Sequence, residues 1–128
     1  MNIFIVIPNW NGAEFLRPCL DSLLAQTIKC SIIVVENGST DESDEILATY
    51  GNKITVLKQP KNLGFDGGVN VGIKYSIKNG ANYVALFNND AIAEPNWLET
   101  LVKTMQSNNS LGIVTSKIVH VNDNILDS

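Results

Sequence analysis

The sequence is poor in positive charge and has no long apolar run. It contains 9 Lys and Arg residues against 13 Asp and Glu residues, which gives a formal net charge of −4. Binding to a nucleic-acid backbone needs clustered basic side chains, so this balance excludes that class. The apolar run at residues 3–7 is too short for a signal sequence or a membrane span, and Pro8 ends it. These absences predict a cytoplasmic chain without a nucleic-acid partner.

Cysteine and histidine are scarce as well. Cys19 and Cys30 are not closely spaced, and no His pattern accompanies them. This arrangement predicts reduced, half-buried thiols rather than metal ligands or nucleophiles. His120 stands alone on a predicted strand, which favours a packed or surface histidine over a catalytic base.

Strand-like and helix-like stretches alternate regularly over the 128 residues, of which 45% are hydrophobic. Helical spacing of apolar residues predicts four helices. Short apolar runs predict strands, and this alternation is typical of βαβ units in a parallel sheet. We therefore expect an α/β fold, a three-layer α/β/α sandwich of Rossmann-like type with strand order 3-2-1-4 and a ligand crevice between strands one and four. The predicted strands are residues 3–7, 31–35, 54–57, 83–87, 111–115 and 118–121, and the predicted helices are residues 13–26, 41–50, 69–78 and 95–105.

Three polar clusters follow predicted strands, and all three would reach the carboxyl edge of the sheet. The cluster after strand four is Asn88, Asn89 and Asp90, whose oxygens suit a divalent cation and the phosphates that it bridges. An alternative is that these residues form only a turn and cap the next helix. The other two clusters pair Asn9 with Asn11, and Glu36 with Asn37.

A polar, glycine-dense loop at residues 58–68 could fold over the same crevice. Its glycines permit a close approach of backbone to a ligand, or they merely end and begin helices. Their spacing is not G-x-G-x-x-G, and they follow the third strand rather than the first. No P-loop lysine with Ser or Thr follows a glycine run. Both a hydride-transfer enzyme and a P-loop NTPase are therefore disfavoured.

Four motifs occur in an order that is specific when they are taken together. They read I-V-I-P-N-W-N-G, I-I-V-V-E-N-G-S-T-D, N-L-G-F-D-G-G-V-N-V-G and L-F-N-N-D-A with P-N-W-L. Over residues 3–121 this order closely resembles the nucleotide-binding half of family 2 glycosyltransferases, inverting enzymes with a GT-A fold. Within that family, the chain looks most like the rhamnosyl- and galactofuranosyltransferase-like subgroup.

The resemblance implies roles for individual residues. Glu36 and Asn37 match the acidic pair that reads the base, and Asp90 matches the metal-binding position of D-x-D, where Mg²⁺ or Mn²⁺ would stabilise charge on the leaving diphosphate. The predicted nucleotide-sugar-binding residues are Pro8, Asn9, Asn11, Glu36, Asn37, Asn62, Gly64, Gly68, Asn70, Asn88 and Asn89, with Asp90 as the metal ligand.

The sequence departs from the family pattern at four places. Glu36 stands where Asp is usual, Asn88 takes the first acidic position of D-x-D, and Val69 replaces a polar residue. The family's catalytic base is an Asp or Glu beyond Ser128, and Asp123 and Asp127 lie too early to replace it. We therefore expect residues 1–128 to be a single nucleotide-sugar-binding domain of a truncated glycosyltransferase that lacks the acceptor and catalytic-base part.

The resemblance implies transfer of a sugar from a nucleoside diphosphate-sugar, of UDP or dTDP type, to a glycan or lipid-linked acceptor in surface polysaccharide synthesis. It also leaves room for a homo-oligomer and for peripheral association with the inner face of the membrane, where such an acceptor would lie. The alternative is a non-catalytic α/β nucleotide-binding or interaction module. A sugar-nucleotide pyrophosphorylase is disfavoured because Asn9 to Gly12 contains no Arg.

Overall fold

The computed structural model describes residues 1–119 and 126–127, in which strands alternate with helices as the sequence predicts. None of the helices in these ranges is long and apolar enough to cross a membrane. The elements are β1 (Ile3–Asn9), α1 (Ala13–Leu24), β2 (Ser31–Glu36), α2 (Ser43–Ala48), a 3₁₀ turn (Gly51–Lys53), β3 (Thr55–Lys58), α3 (Gly64–Lys78), β4 (Tyr83–Leu86), α4 (Trp97–Ser107), β5 (Ile118–Val119) and β6 (Leu126–Asp127).

The main sheet has four parallel strands in the order β3-β2-β1-β4. The predicted strand order is therefore confirmed. In the register of β1 with β2, Asn9 lies opposite Glu36, while on the other side of β1 Val6 lies opposite Leu86. The chain runs from β1 through β2 to β3 on one side and then places β4 on the other side of β1, so the strand order reverses between β1 and β4, where a crevice is expected at the carboxyl ends.

Helices cover both faces of this sheet, which confirms the three-layer arrangement. One core cluster joins Ile5, Ile7 and Val34 of the sheet to Leu20 of α1 and Leu98 of α4. The opposite cluster joins the alternate strand residues, including Val6 and Val35, to α3. Because β1 and β2 are buried on both faces, they read as continuous apolar runs without alternation.

Helix α3 packs unusually close to the sheet through two glycines one turn apart. A Cβ at Gly72 would clash with the side chain of Val6 and lie 3.2 Å from Cγ2 of Val35. A Cβ at Gly68 would lie 2.6 Å from Nδ2 of Asn37. The i, i+4 spacing puts both glycines on the face that meets the sheet. These glycines therefore set the distance between the two layers.

Helix α1 and the turn that follows it hold the segment after β4 by side-chain hydrogen bonds. Ser22 Oγ accepts from the backbone N–H of Ala93 at 3.0 Å. Gln26 Nε2 donates to the carbonyl of Glu94 at 2.8 Å, and its Oε1 accepts from the N–H of Leu98 at 2.9 Å. The irregular path between β4 and α4 is therefore fixed against a regular element.

Two predicted elements differ in the structure. Helix α3 begins at Gly64 rather than residue 69, because Asn62 Oδ1 accepts from the Gly64 N–H at 2.7 Å and starts the helix early. The predicted strand at residues 111–115 is wrong: Asn108 turns the chain there, and Ile113 is 89% exposed. Within residues 1–119, no strand pairs with that stretch. Of the strand predicted at 118–121, residues 118–119 are confirmed and 120–121 lie outside the described residues.

Candidate functional site

A cleft of about 360 Å³ lies at the carboxyl end of the sheet, beside the crevice between β1 and β4. This volume is within the range of small-molecule sites, about 300–1,000 Å³. Eight of the twelve predicted site residues line it together, although they come from four separate parts of the sequence. The residues lining the cleft are Pro8, Asn9, Trp10, Asn37, Asn62, Gly64, Phe65, Asn88, Asn89 and Asp90.

Two aromatic residues of the cleft, Trp10 and Phe65, are missing from the predicted set. Their side chains are 54% and 57% exposed. Trp10 stands in the polar turn after β1, and Phe65 stands in the first turn of α3, in the polar, glycine-dense stretch of the sequence. An aromatic residue in such a polar stretch after a strand is the signal that could have found each of them. A flat exposed ring can stack on a nucleobase, so both belong to the candidate site.

The other four predicted residues do not line the cleft. Gly68 is packed against the sheet, and Asn70 is exposed on α3. Asn11 adopts a positive φ of 50° and accepts with Oδ1 from the N–H of Thr40 at 2.8 Å. Asn11 therefore ties the turn after β1 to the turn after β2.

Glu36 is buried, with 3% of its surface exposed, and its carboxylate is surrounded by donors of the chain itself. Asn9 Nδ2 donates to Oε1 at 2.9 Å, the Ser39 N–H donates to Oε2 at 3.0 Å, and the Ser39 hydroxyl also bonds Oε1. A buried carboxylate needs such compensation. Glu36 thus faces inward, towards the turn that follows β2.

Asn37 offers an unused acceptor at the cleft. Its backbone N–H donates to the carbonyl of Asn9 at 2.8 Å, and its Nδ2 donates to the carbonyl of Gly64 at 3.2 Å. Its Oδ1 is buried and has no partner among the described residues. A buried unsatisfied acceptor costs about 1–3 kcal/mol. A hydrogen-bond donor from outside the described residues would satisfy this oxygen.

Asp90 supplies the carboxylate of the cleft, with the amides of Asn88 and Asn89 beside it. Among the described residues, no three His, Cys, Asp or Glu side chains converge as a metal site would require. A cation held here would therefore have one carboxylate, neutral amide oxygens and open positions for phosphate and water. Mg²⁺ is commonly bound in this way, so the residues fit such an ion.

Cys19 of α1 lies directly under this turn. The residue is fully buried, and its thiol donates to the carbonyl of Asn88 at 3.6 Å. Burial, followed by the negative charge of Asp90, raises the pKa of the Cys19 thiol from about 9.0 to about 12. The thiol is therefore neutral and unreactive in the folded chain at physiological pH, as the sequence predicts for a non-catalytic cysteine.

This raised pKa predicts a loss of stability in alkaline solution. The folded state favours the protonated thiol, so its contribution is complete below pH 9 and is lost as the pH rises towards 12. Between pH 8 and 10.5, urea unfolding should show the wild type losing on the order of 1–2 kcal/mol more than Cys19→Ala. Burial also raises the pKa of Tyr50 to about 12, but Tyr50 is present in both proteins and so does not contribute to the difference between them. Equal losses of stability in the wild type and in Cys19→Ala would contradict the raised pKa of the Cys19 thiol.

The sequence has relatives among known glycosyltransferases. The model of glycosyl transferase family 2 matches residues 4–127. An uncharacterized glycosyltransferase of Rickettsia prowazekii (strain Madrid E) is 41% identical over 98 residues, which are 76% of this chain and 30% of the relative. Glycosyltransferase GlyG of Streptococcus pneumoniae serotype 4 is 34% identical over 108 residues, 81% of this chain and 35% of GlyG.

Solved structures share the fold at low sequence identity. S. aureus TarS residues 1–349 in complex with UDP-GlcNAc superposes with a TM-score of 0.73 at 19% identity, over 95% of this chain and 41% of that one. The mannosyltransferase PcManGT from Pyrobaculum calidifontis, in complex with GDP-Man and Mn²⁺, gives 0.73 at 18% identity, over 81% and 32%. The chain thus spans between 30% and 41% of the length of these two relatives and two solved chains. It belongs to glycosyl transferase family 2.

Proposed function

We propose that this chain is the donor-binding region of an inverting glycosyltransferase that uses a nucleoside diphosphate-sugar. One observation carries the proposal: a single cleft combines the unsatisfied acceptor of Asn37, two exposed aromatic rings and the carboxylate of Asp90. A base, a ribose and a diphosphate need different partners. The cleft offers a suitable partner at the base end and at the diphosphate end of such a ligand.

The base would lie at the end of the cleft that Asn37 lines. Asn37 Nδ2 already donates to Gly64, so its Oδ1 is the atom left for the ligand. Uracil and thymine each carry one ring N–H that such an oxygen can accept. Trp10 or Phe65 would stack on the base face, a contact worth about 1–3 kcal/mol. Guanine carries such a ring N–H as well, so the expected donor of UDP or dTDP type rests on the family resemblance.

The diphosphate would lie near Asp90. No Lys or Arg is among the described residues that line the cleft, so neutralising the diphosphate requires a cation. Mg²⁺ or Mn²⁺ held by Asp90 would stabilise the charge that develops on the leaving group. Asp90 would hold the ion, while the amides of Asn88 and Asn89 would add neutral oxygens or orient the phosphate. PcManGT, a neighbour in fold, was solved with Mn²⁺.

The remaining details are proposals from the family resemblance. They comprise the rhamnosyl- or galactofuranosyltransferase-like specificity, a glycan or lipid-linked acceptor, a role in surface polysaccharide synthesis and peripheral association at the inner face of the membrane. No described residue in the cleft is a second carboxylate placed to deprotonate an acceptor hydroxyl. We therefore assign donor binding to this chain and leave the catalytic base to another part of the protein.

Calorimetric titration tests the donor-site proposal. The chain is titrated with UDP, dTDP and GDP, each with Mn²⁺ and with excess chelator. We expect heat for UDP or dTDP that depends on Mn²⁺, and weaker or no binding of GDP. Absence of heat for all three nucleotides in the presence of Mn²⁺ would overturn the proposal. Equal binding with and without chelator would overturn the metal-dependent part alone.

A further inference from the structure

Asn9 links the buried carboxylate after β2 to the cation side of the cleft. Its Nδ2 donates to Glu36 Oε1 at 2.9 Å, and its Oδ1 accepts from Asn89 Nδ2 at 2.9 Å. Asn9 is fully buried, so its amide cannot exchange these partners for water. The three side chains form a continuous relay across the switch point, from the end of β2 through β1 to the turn after β4.

Glu36 fixes the polarity of this relay. A carboxylate only accepts hydrogen bonds, so the Asn9 amide must present its NH₂ to Glu36. Its oxygen then faces Asn89, and this oxygen can only be satisfied by the NH₂ of Asn89. The opposite atom, Asn89 Oδ1, has no partner among the described residues, and Asn89 lines the cleft beside Asp90.

We propose that Glu36 is a positioning residue that acts through Asn9 to present the Asn89 Oδ1 oxygen, and not its NH₂, to a divalent cation held by Asp90. This role differs from direct reading of the base. This role rests on the proposed donor site, and it makes Asn89 Oδ1 the second protein oxygen of the cation site. An outward-facing NH₂ would instead repel a cation.

The Glu36→Gln substitution tests the relay because it removes the carboxylate that fixes the direction of the hydrogen bonds and changes the shape of the side chain little. The Ser39 N–H needs an acceptor, so the new amide should keep its oxygen there and turn its NH₂ towards Asn9. Asn9 then flips, Asn89 flips after it, and an NH₂ faces the cation. Loss of such supporting contacts typically weakens metal binding about 10–100-fold. We expect Mn²⁺ binding in the presence of UDP to weaken about tenfold, as measured by the electron paramagnetic resonance signal of free Mn²⁺. Glu45→Gln, at an exposed position, is the control.

A second substitution separates this role from a merely structural one. In Glu36→Gln, the flipped Asn9 offers its NH₂ to residue 89, so Asn89→Asp should restore an oxygen at the cleft and bring Mn²⁺ affinity back towards wild type. In the wild-type background the same Asn89→Asp carboxylate would face Asn9 Oδ1, so it should not strengthen binding. Asn89→Asp should therefore strengthen Mn²⁺ binding only in the Glu36→Gln background.

Each outcome decides between the two proposals. Unchanged Mn²⁺ affinity in Glu36→Gln, or a loss that Asn89→Asp does not recover, would overturn the relay while leaving the donor site intact. UDP binding that does not depend on Mn²⁺ would overturn the relay alone, and absence of binding of all three nucleotides by the wild-type chain in the presence of Mn²⁺ would overturn both. If circular dichroism shows that Glu36→Gln does not fold, Asn89→Ala tests the relay instead. Removing the Asn89 Oδ1 oxygen should also weaken Mn²⁺ binding about tenfold. Wild-type affinity in that variant would overturn the relay.

Discussion

Replacing Asp90 with asparagine is expected to weaken Mn²⁺-dependent binding of UDP by about 100-fold, or about 2.7 kcal/mol. Among the residues that the structure describes, Asp90 is the only carboxylate that lines the cleft, and none with a basic side chain lines it to hold the diphosphate in place of a cation. Without the carboxylate, a cation would have only neutral oxygens. Calorimetry with UDP and Mn²⁺ measures the loss, and binding in excess chelator should change much less.

The Asp90→Asn variant should fold as well as the wild type. Asp90 is exposed, and its carboxylate makes no salt bridge to any described residue, so its loss should cost less than about 0.5 kcal/mol of stability. Asp66→Asn is the matched control, since Asp66 is also exposed but lies on α3 outside the cleft. Equal Mn²⁺-dependent affinity in wild type and Asp90→Asn would remove Asp90 from the metal role.

The largest effect on stability is expected at Gly72. In Gly72→Ala, the new methyl group would clash with Val6 and crowd Val35, both in the buried centre of the sheet. Overpacking of a core typically costs about 1–3 kcal/mol, and the gain in helix propensity of about 1 kcal/mol offsets only part of a severe clash. Gly72→Val should be worse, since its branches have no empty space. Urea unfolding measures both variants.

Gly112→Ala is the control for this prediction. A Cβ at Gly112 meets no described atom within 4 Å, so its free energy of unfolding should change by less than about 0.5 kcal/mol. If Gly72→Ala is as stable as the control, then α3 can move away from the sheet. The close packing of these two layers would then not be a requirement of the fold.

The strand order and the edge that carries the site could be predicted because both follow from local pattern. Apolar runs without alternation at β1 and β2 indicate strands covered on both faces, and the helices between them require right-handed parallel connections. The start of α3 could not be read in the same way. Glycines at 67 and 68 are typical of a loop, but in the structure they lie in α3, where Gly68 packs against Pro8 and Asn37 at the end of the sheet.

The sequence also identified most of the cleft residues, but it could not assign their orientation. Glu36 and Asn37 are neighbours in a polar motif, and both looked equally able to meet a ligand. In the structure, the side chain of Glu36 turns inward to Asn9 and Ser39, while Asn37 lines the cleft and its Oδ1 has no partner among the described residues. Adjacent residues at the end of a strand point to opposite faces, so one of the two must turn away.

By itself, the sequence determined the α/β class, the strand order and the edge where polar residues gather, because hydrophobic periodicity and turn residues act over short range. Only the tertiary structure decided which atoms are available there. The partners of Asn9 lie 27 and 80 residues away in the sequence, and they fix which end of each amide faces the cleft. The direction of each hydrogen bond in this relay depends on side chains that are distant in the sequence, so no local sequence pattern could predict it.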